Sequence, residues 1–197
     1  MKGIKCTSNE VNAILSGDKS QIRLVINISQ IQPINDSYMG TDSKGGHMFG
    51  GNYYQKPYET IFCPHQTGDL VFVKEDFCEK VDQETFEFLG DYHYRASCDF
   101  DVFMMGEDGF SIENKDGSER LAWKPAQHMN QHQSRITLRI KDISVERLQD
   151  ISYEDAIAEE LDDDRSFADL WNSTHKKPEE KWKANPFVWV INFEVVK

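Results

Sequence analysis

The groups able to do chemistry in this chain are dispersed along it, and the first question is which of them could form a site. Four cysteines, Cys6, Cys63, Cys78 and Cys98, include no CxxC pair, so neither a zinc knuckle nor a thioredoxin-like redox centre is indicated. Cys63 and His65 in FCPHQTGD are soft ligands that Cys78, His93 or Cys98 could join, but this spacing fits no standard zinc frame. Asp162, Asp163 and Asp164 are oxygen donors of the kind magnesium takes, yet they directly precede SFADLW, where carboxylates stabilise a helix N-terminus. Gly45, Gly46, Gly50 and Gly51 lack both the preceding strand and the Gly-Lys-Ser/Thr ending of a phosphate loop. No metal and no cofactor are expected.

The remaining candidates are charged and aromatic side chains fixed by regular elements. QIRLVINI, from Gln21 to Ile28, reads as a strand with Ile22, Leu24 and Ile26 on one side, which holds Arg23 on rigid backbone facing the other. SRITLRIKDISVERLQDISYEDAIAEE, from Ser134 to Glu160, is the most informative stretch. Ile136, Leu138 and Ile140 share one face of an alternating strand, while Thr137, Arg139 and Lys141 take the other. Ser152 stands three residues before Asp155 as a capping-box-like helix start, so Glu159 would project from a fixed element and Glu160 would turn away from it. Glu75, at the end of the apolar strand Leu70–Val73, could pair with Arg23 or Arg135. His128 in WKPAQHM is a candidate ligand contact and Trp123 a candidate stacking face for a base.

The elements between these residues are mostly strands. Asn9–Ser16 is a short amphipathic helix with Val11, Ile14 and Leu15 as its apolar stripe and Gly17 as its stop. Residues 29–58 are rich in glycine and poor in pattern, which reads as an insertion or mobile loop whose tyrosines could stack on a base. Thr67, Gly68 and Asp69 form a turn, and short strands follow at Thr85–Leu89, Tyr92–Ala96 and Phe100–Met105, with turns at Glu107–Gly109 and Lys115–Gly117. Ser166–Trp171 reads as a helix, HKKPEEKWK as a polar connection, and Phe187–Val195 as a final alternating strand. Strands open and close the chain with short helices between them, the order of a mixed α+β barrel in one domain spanning residues 1–197.

Composition bounds the partners. The 197 residues carry a formal charge of -12, which opposes nonspecific binding to duplex nucleic acid, a process driven by lysines and arginines. Acid concentrates at Glu75–Glu87, Asp99–Asp108 and Glu154–Asp164, whereas Arg135–Arg147 is basic, an arrangement suited to a small ligand inside an acidic rim. A second reading needs no chemistry: an acidic interaction protein that counters a host nucleic-acid-binding factor by offering carboxylates in place of phosphates. No apolar run approaches the roughly 18 residues of a membrane span, and MKGIKCTSNEV has no long apolar stretch, so a cytoplasmic protein without membrane contact is expected.

Taken in order, AILSGDKSQIRLVI, CPHQTGDLVFVKEDF, WKPAQHM, the Ser134–Glu160 stretch and NPFVWVINFEV resemble the ASCH domains of the PUA-like superfamily, especially the longer forms found in bacteriophages and prophages. The resemblance covers a little under half of the residues. It implies a β-barrel with flanking helices and a polar pocket for a nucleotide, a modified nucleoside or single-stranded RNA, within the host cytoplasm if phage-encoded. Some ASCH proteins are similar to amidohydrolases acting on acetylated cytidine, and ribonuclease activity is attributed to others. In the amidohydrolase branch a lysine activates a threonine three residues later and a glutamate on a later helix assists. Lys19 matches the lysine and Glu159 the glutamate, but Ile22 stands where the threonine should be. Ser20 is the substitute nucleophile at hand, about 7 Å away on extended-chain spacing. The resemblance thus implies a pocket formed by Lys19, Arg23, Arg135 and Glu159, with Lys19 as base and Glu159 as acid or orienter if hydrolysis survives.

Overall fold

The computed structural model describes residues 1–26, 37–41, 44–50, 59–82, 85, 87–98, 111–113, 119–121, 123–159 and 166–196. In chain order they form β1 (Lys2–Lys5), α1 (Ser8–Ser16), β2 (Gln21–Val25), β3 (Ser37–Thr41), β4 (His47–Gly50), β5 (Glu59–Ile61), β6 (Leu70–Lys74), β7 (Phe77–Val81) and β8 (Phe88–Tyr94). There follow β9 (Ser111–Glu113), β10 (Glu119–Leu121), β11 (Thr137–Arg147), α2 (Tyr153–Ala158), α3 (Phe167–Thr174) and β12 (Phe187–Val195). The fold is therefore α+β, mostly sheet with few helices. It divides into two compact units: residues 1–19, 70–139 and 195–197 form the first, and residues 20–69 and 140–194 the second.

In the first unit β1 lies parallel to β6, and β6 pairs antiparallel with the start of β11 through Phe72 opposite Thr137 and Val71 opposite Leu138. Val71, Val73, Ile136 and Leu138 supply its core. Thr7 and Glu10 make a reciprocal capping box at the start of α1, and Gly17 ends the helix in the left-handed region at φ 88°, a conformation glycine adopts without a Cβ penalty. Val11, Ala13 and Ile14 are buried, whereas Leu15, expected on the apolar stripe, is 48% exposed: the buried face is centred on the Ala13–Ile14 side of Val11, and Leu15 falls at its far edge. β7 and β8 form an antiparallel ribbon with Phe77 opposite Tyr94 and Cys78 opposite His93. The two strands expected at Thr85–Leu89 and Tyr92–Ala96 are thus one strand, Phe88–Tyr94, ended by a 3-10 turn at Arg95–Ser97. Phe100–Met105 and the turns at Glu107–Gly109 and Lys115–Gly117 lie outside the described residues.

In the second unit β12 pairs antiparallel with β2, setting Ile191 opposite Ile22 and Asn192 opposite Gln21. Val188 and Val190 pack with Leu148, Ala156, Phe167 and Trp171, which fixes α2 and α3 on this core. Within 29–58, read from sequence as a loop, the described residues form β3 and β4, and β4 pairs with β5. Phe49 is buried edge-on to Phe187, so at least one residue of that stretch is core. Alternation was obscured there by glycines and by a register shift between Tyr38 and Gly40. Tyr53 and Tyr54 fall outside the described residues. Gly68, at φ 91°, turns the chain between Gln66 and Asp69 and donates its N–H to Ile140 O at 2.8 Å.

A closed barrel was expected, but in neither unit do the described strands pair back on themselves to form a ring. No helix among the described residues is long and apolar enough to cross a membrane.

Candidate functional site

The second unit holds a buried polar cluster centred on Arg23. Strand alternation sends Ile22 into the apolar core and leaves Gln21 and Arg23 on the opposite face, both nearly inaccessible at 3% and 4% exposure. A guanidinium so placed loses its hydration and must recover it from fixed acceptors. Its Nε and Nη2 donate to Glu146 Oε1, at 3.1 and 2.5 Å. Nη1 donates to Glu159 Oε1 at 2.9 Å and to Gln21 Oε1. Asp155 Oδ2 stands 3.6 Å from Nη2. Gln21 Nε2 in turn donates to Asp155 Oδ1 and Asn192 Oδ1, each at 2.9 Å. One cation therefore organises three carboxylates, two of which, Glu146 and Asp155, keep side chains 26% and 35% exposed.

Local structure explains the convergence. Asp155 N–H donates to Ser152 Oγ at 3.0 Å, the cap foreseen from sequence, and this starts α2. The helix is shorter than expected: it ends at Ala158, so Glu159 is its C-cap rather than an interior residue. Ser20 N–H donates to Ala158 O, and Ser20 O accepts from Phe193 N–H, both at 3.0 Å. These bonds tie the entrance of β2 to the end of α2 and hold Arg23 opposite Glu159. Ser20 is exposed, and Ile22 is 4% exposed.

The first unit holds the other expected residues. Glu75, only 2% exposed, accepts a two-pronged pair of bonds from Arg135, Nε to Oε1 and Nη2 to Oε2, each 2.9 Å. Of the two partners foreseen for Glu75, Arg135 is the one it meets. Arg135 Nη1 donates to Ser97 Oγ at 2.6 Å, and the guanidinium lies 4.4 Å over the Tyr94 ring. The Tyr94 hydroxyl donates to Gln133 O at 2.8 Å; burial first, then the Glu75 charge, raises its pKa. Lys19, expected at an exposed turn, is instead 3% exposed with Nζ 3.6 Å from Glu10 Oε1, because its backbone N–H is drawn onto Ala13 O beneath the α1 cap. Trp123 is half-buried. His128 is exposed at the end of a 3-10 turn, its Nε2 3.2 Å from Gln127 Nε2, and takes no part in the Arg135 cluster.

Lys19 and Arg135 thus belong to the first unit, and Ser20, Arg23 and Glu159 to the second. Sequence reading named Arg23 and Glu159 but missed Gln21, Glu146, Asp155 and Asn192. For Gln21 the signal was present: it lies two residues from Arg23 on the same strand face. Glu160 and Asp162–Asp164 lie outside the described residues. Among the described residues no group of three His, Cys, Asp or Glu side chains is arranged to hold a metal ion. Comparison with known proteins gives no family model, no curated protein and no solved structure that matches this chain.

Proposed function

We propose that this chain is an ASCH-like, PUA-related protein of the cytoplasm that binds the base of a nucleotide, modified nucleoside or single-stranded RNA at the Arg23 cluster. One observation carries the reading: a buried guanidinium spends its donors on protein acceptors and presents two partly exposed carboxylates, Glu146 and Asp155. An incoming phosphate would have to displace a carboxylate from Arg23, whereas the exocyclic amine and ring N–H groups of a base donate to carboxylate oxygens directly. Arg23 is then a positioning residue that aims acceptors. Glu159 serves the same array, and the closed barrel implied by the resemblance belongs to this proposal as well. Binding is favoured over hydrolysis of acetylated cytidine, since the position of the acyl-accepting hydroxyl is filled by buried Ile22.

Thermal unfolding of the full chain with cytidine, acetylated cytidine, cytidine monophosphate and short single-stranded RNA tests this. A ligand at about 100 times its Kd adds about 2.7 kcal/mol, roughly 5–10 °C for a chain of this length. Stabilisation by at least one of these ligands, lost in Glu146→Gln and Asp155→Asn, is expected. Absence of any shift, or a shift that both variants retain, would overturn the assignment.

A further inference from the structure

The outer face of α2 has no role in the Arg23 cluster, and its chemistry fits a protein partner. The inner side of this helix is committed: Ala156 packs into the core and Ser152 caps the N-terminus. Tyr153 and Ile157, one helical turn apart, are 66% and 47% exposed. Residues at i and i+4 are surface neighbours, so an aromatic and a branched aliphatic side chain stand side by side on a convex face. Glu154 lies exposed beside them, as does Asp150 just before the helix. From Asp150 to Glu159 the chain carries four carboxylates and no lysine or arginine, and Asp150 and Glu154 are the two that stand outside the Arg23 cluster.

We propose that this face docks a segment of another protein in which apolar side chains are flanked by lysines or arginines. Charge complementarity selects this occupant. Duplex nucleic acid and anionic lipid surfaces, which present phosphate, are both repelled by the carboxylates, whereas a cationic segment is drawn to them and aligned before the apolar contact forms. Tyr153 supplies the rigid amphipathic anchor around which such contacts concentrate, and Ile157 extends it. The acid sets the encounter and its salt dependence; the apolar pair sets the residence time. This surface is separate from the base-binding reading, and either can stand without the other.

The test uses the full chain and a fluorescein-labelled lysine–leucine peptide with leucines at helical i, i+3, i+4 and i+7 spacing, followed by anisotropy in about 150 mM salt, where the screening length is about 8 Å. The double variant Tyr153→Ala, Ile157→Ala changes no charge and removes only exposed side chains, so its thermal stability should match the parent. Affinity should fall by about tenfold or more, the scale of losing an interface anchor, and amide NMR shifts on adding peptide to the parent should centre on residues 150–159. Undetectable binding to the parent overturns the proposal, as does equal affinity for the double variant or a perturbed surface elsewhere.

Discussion

Two arginines on this molecule meet carboxylates in opposite ways. In the second unit Arg23 is fully enclosed and shared among Glu146, Asp155 and Glu159, with Gln21 accepting from it and donating in turn to Asp155 and Asn192. In the first unit Arg135 keeps a quarter of its side chain exposed and gives a two-pronged grip to one buried carboxylate, Glu75, with its flat face on Tyr94. The Arg135 arrangement is a closed one-to-one pair in which each charge answers the other, the usual design of a structural ion pair. The Arg23 arrangement gathers more acceptors than one guanidinium can saturate: both bonds to Glu146 fall on Oε1. A structural role needs only pairing, whereas a binding role needs acceptor capacity left over. On the proposed reading, ligand contact falls to the second unit and scaffolding to the first.

Replacing the cation should have the largest effect. Arg23→Met leaves Glu159, 6% exposed, and its neighbours without their guanidinium, and removing one partner of a buried ion pair costs about 3–5 kcal/mol. Urea unfolding should show a loss of that order. Adding Glu146→Gln and Glu159→Gln to the same chain should recover a substantial part of it, because the deficit is uncompensated charge. A loss below about 1 kcal/mol would mean that water already screens the cluster, contrary to its burial.

The difference between the two clusters was only partly readable from sequence. Alternation in Gln21–Val25 and Thr137–Arg147 showed which residues face the core, and Ser152 announced the start of α2. These are local signals with fixed periods of two or 3.6 residues. The partners of Arg23 lie 123 and 136 residues away in the chain, at Glu146 and Glu159, and no local period encodes a separation of that kind. Burial of Lys19 was hidden for a related reason. It follows from backbone bonds of Asp18 and Lys19 to Ala13 O past the Gly17 cap, which fold a turn that reads as solvent-facing back onto the helix.

Breaking the Arg135 pair should cost less, and asymmetrically. Arg135→Met strands the nearly inaccessible Glu75, and loss of hydrogen bonds to a charged group costs about 1.5–3 kcal/mol. Glu75→Gln leaves the half-buried Arg135 still able to reach water and Ser97, so its cost should be lower, about 1 kcal/mol. Neither variant should change nucleoside-dependent stabilisation. Loss of that stabilisation in Arg135→Met, with the fold intact by circular dichroism, would move ligand contact into the first unit and reverse the assignment drawn from the comparison.

The effect that vanishes at neutral pH concerns the other face of the β7–β8 ribbon, where the first unit excludes charge instead of pairing it. Cys78 neighbours Phe77 on β7 and is 2% exposed, and burial followed by the nearby Cys98 pushes its thiol from 9.0 up to about 11. At pH 8 the thiolate is then on the order of one molecule in a thousand, against about one in ten for an unperturbed thiol of pKa 9.0. Iodoacetamide should therefore modify Cys78 in the folded chain far more slowly than in urea. The raised value means that the unfolded chain releases this proton first, so the contribution of Cys78 to stability is intact below pH 9 and declines as pH rises toward 11. Urea midpoints between pH 8 and 10.5 should fall less steeply in Cys78→Ala than in the parent, whatever the absolute stability of the variant. Equal slopes would place the cause of alkaline weakening in other groups and leave the ribbon without the charge-excluding face that sets it apart from the Arg23 cluster.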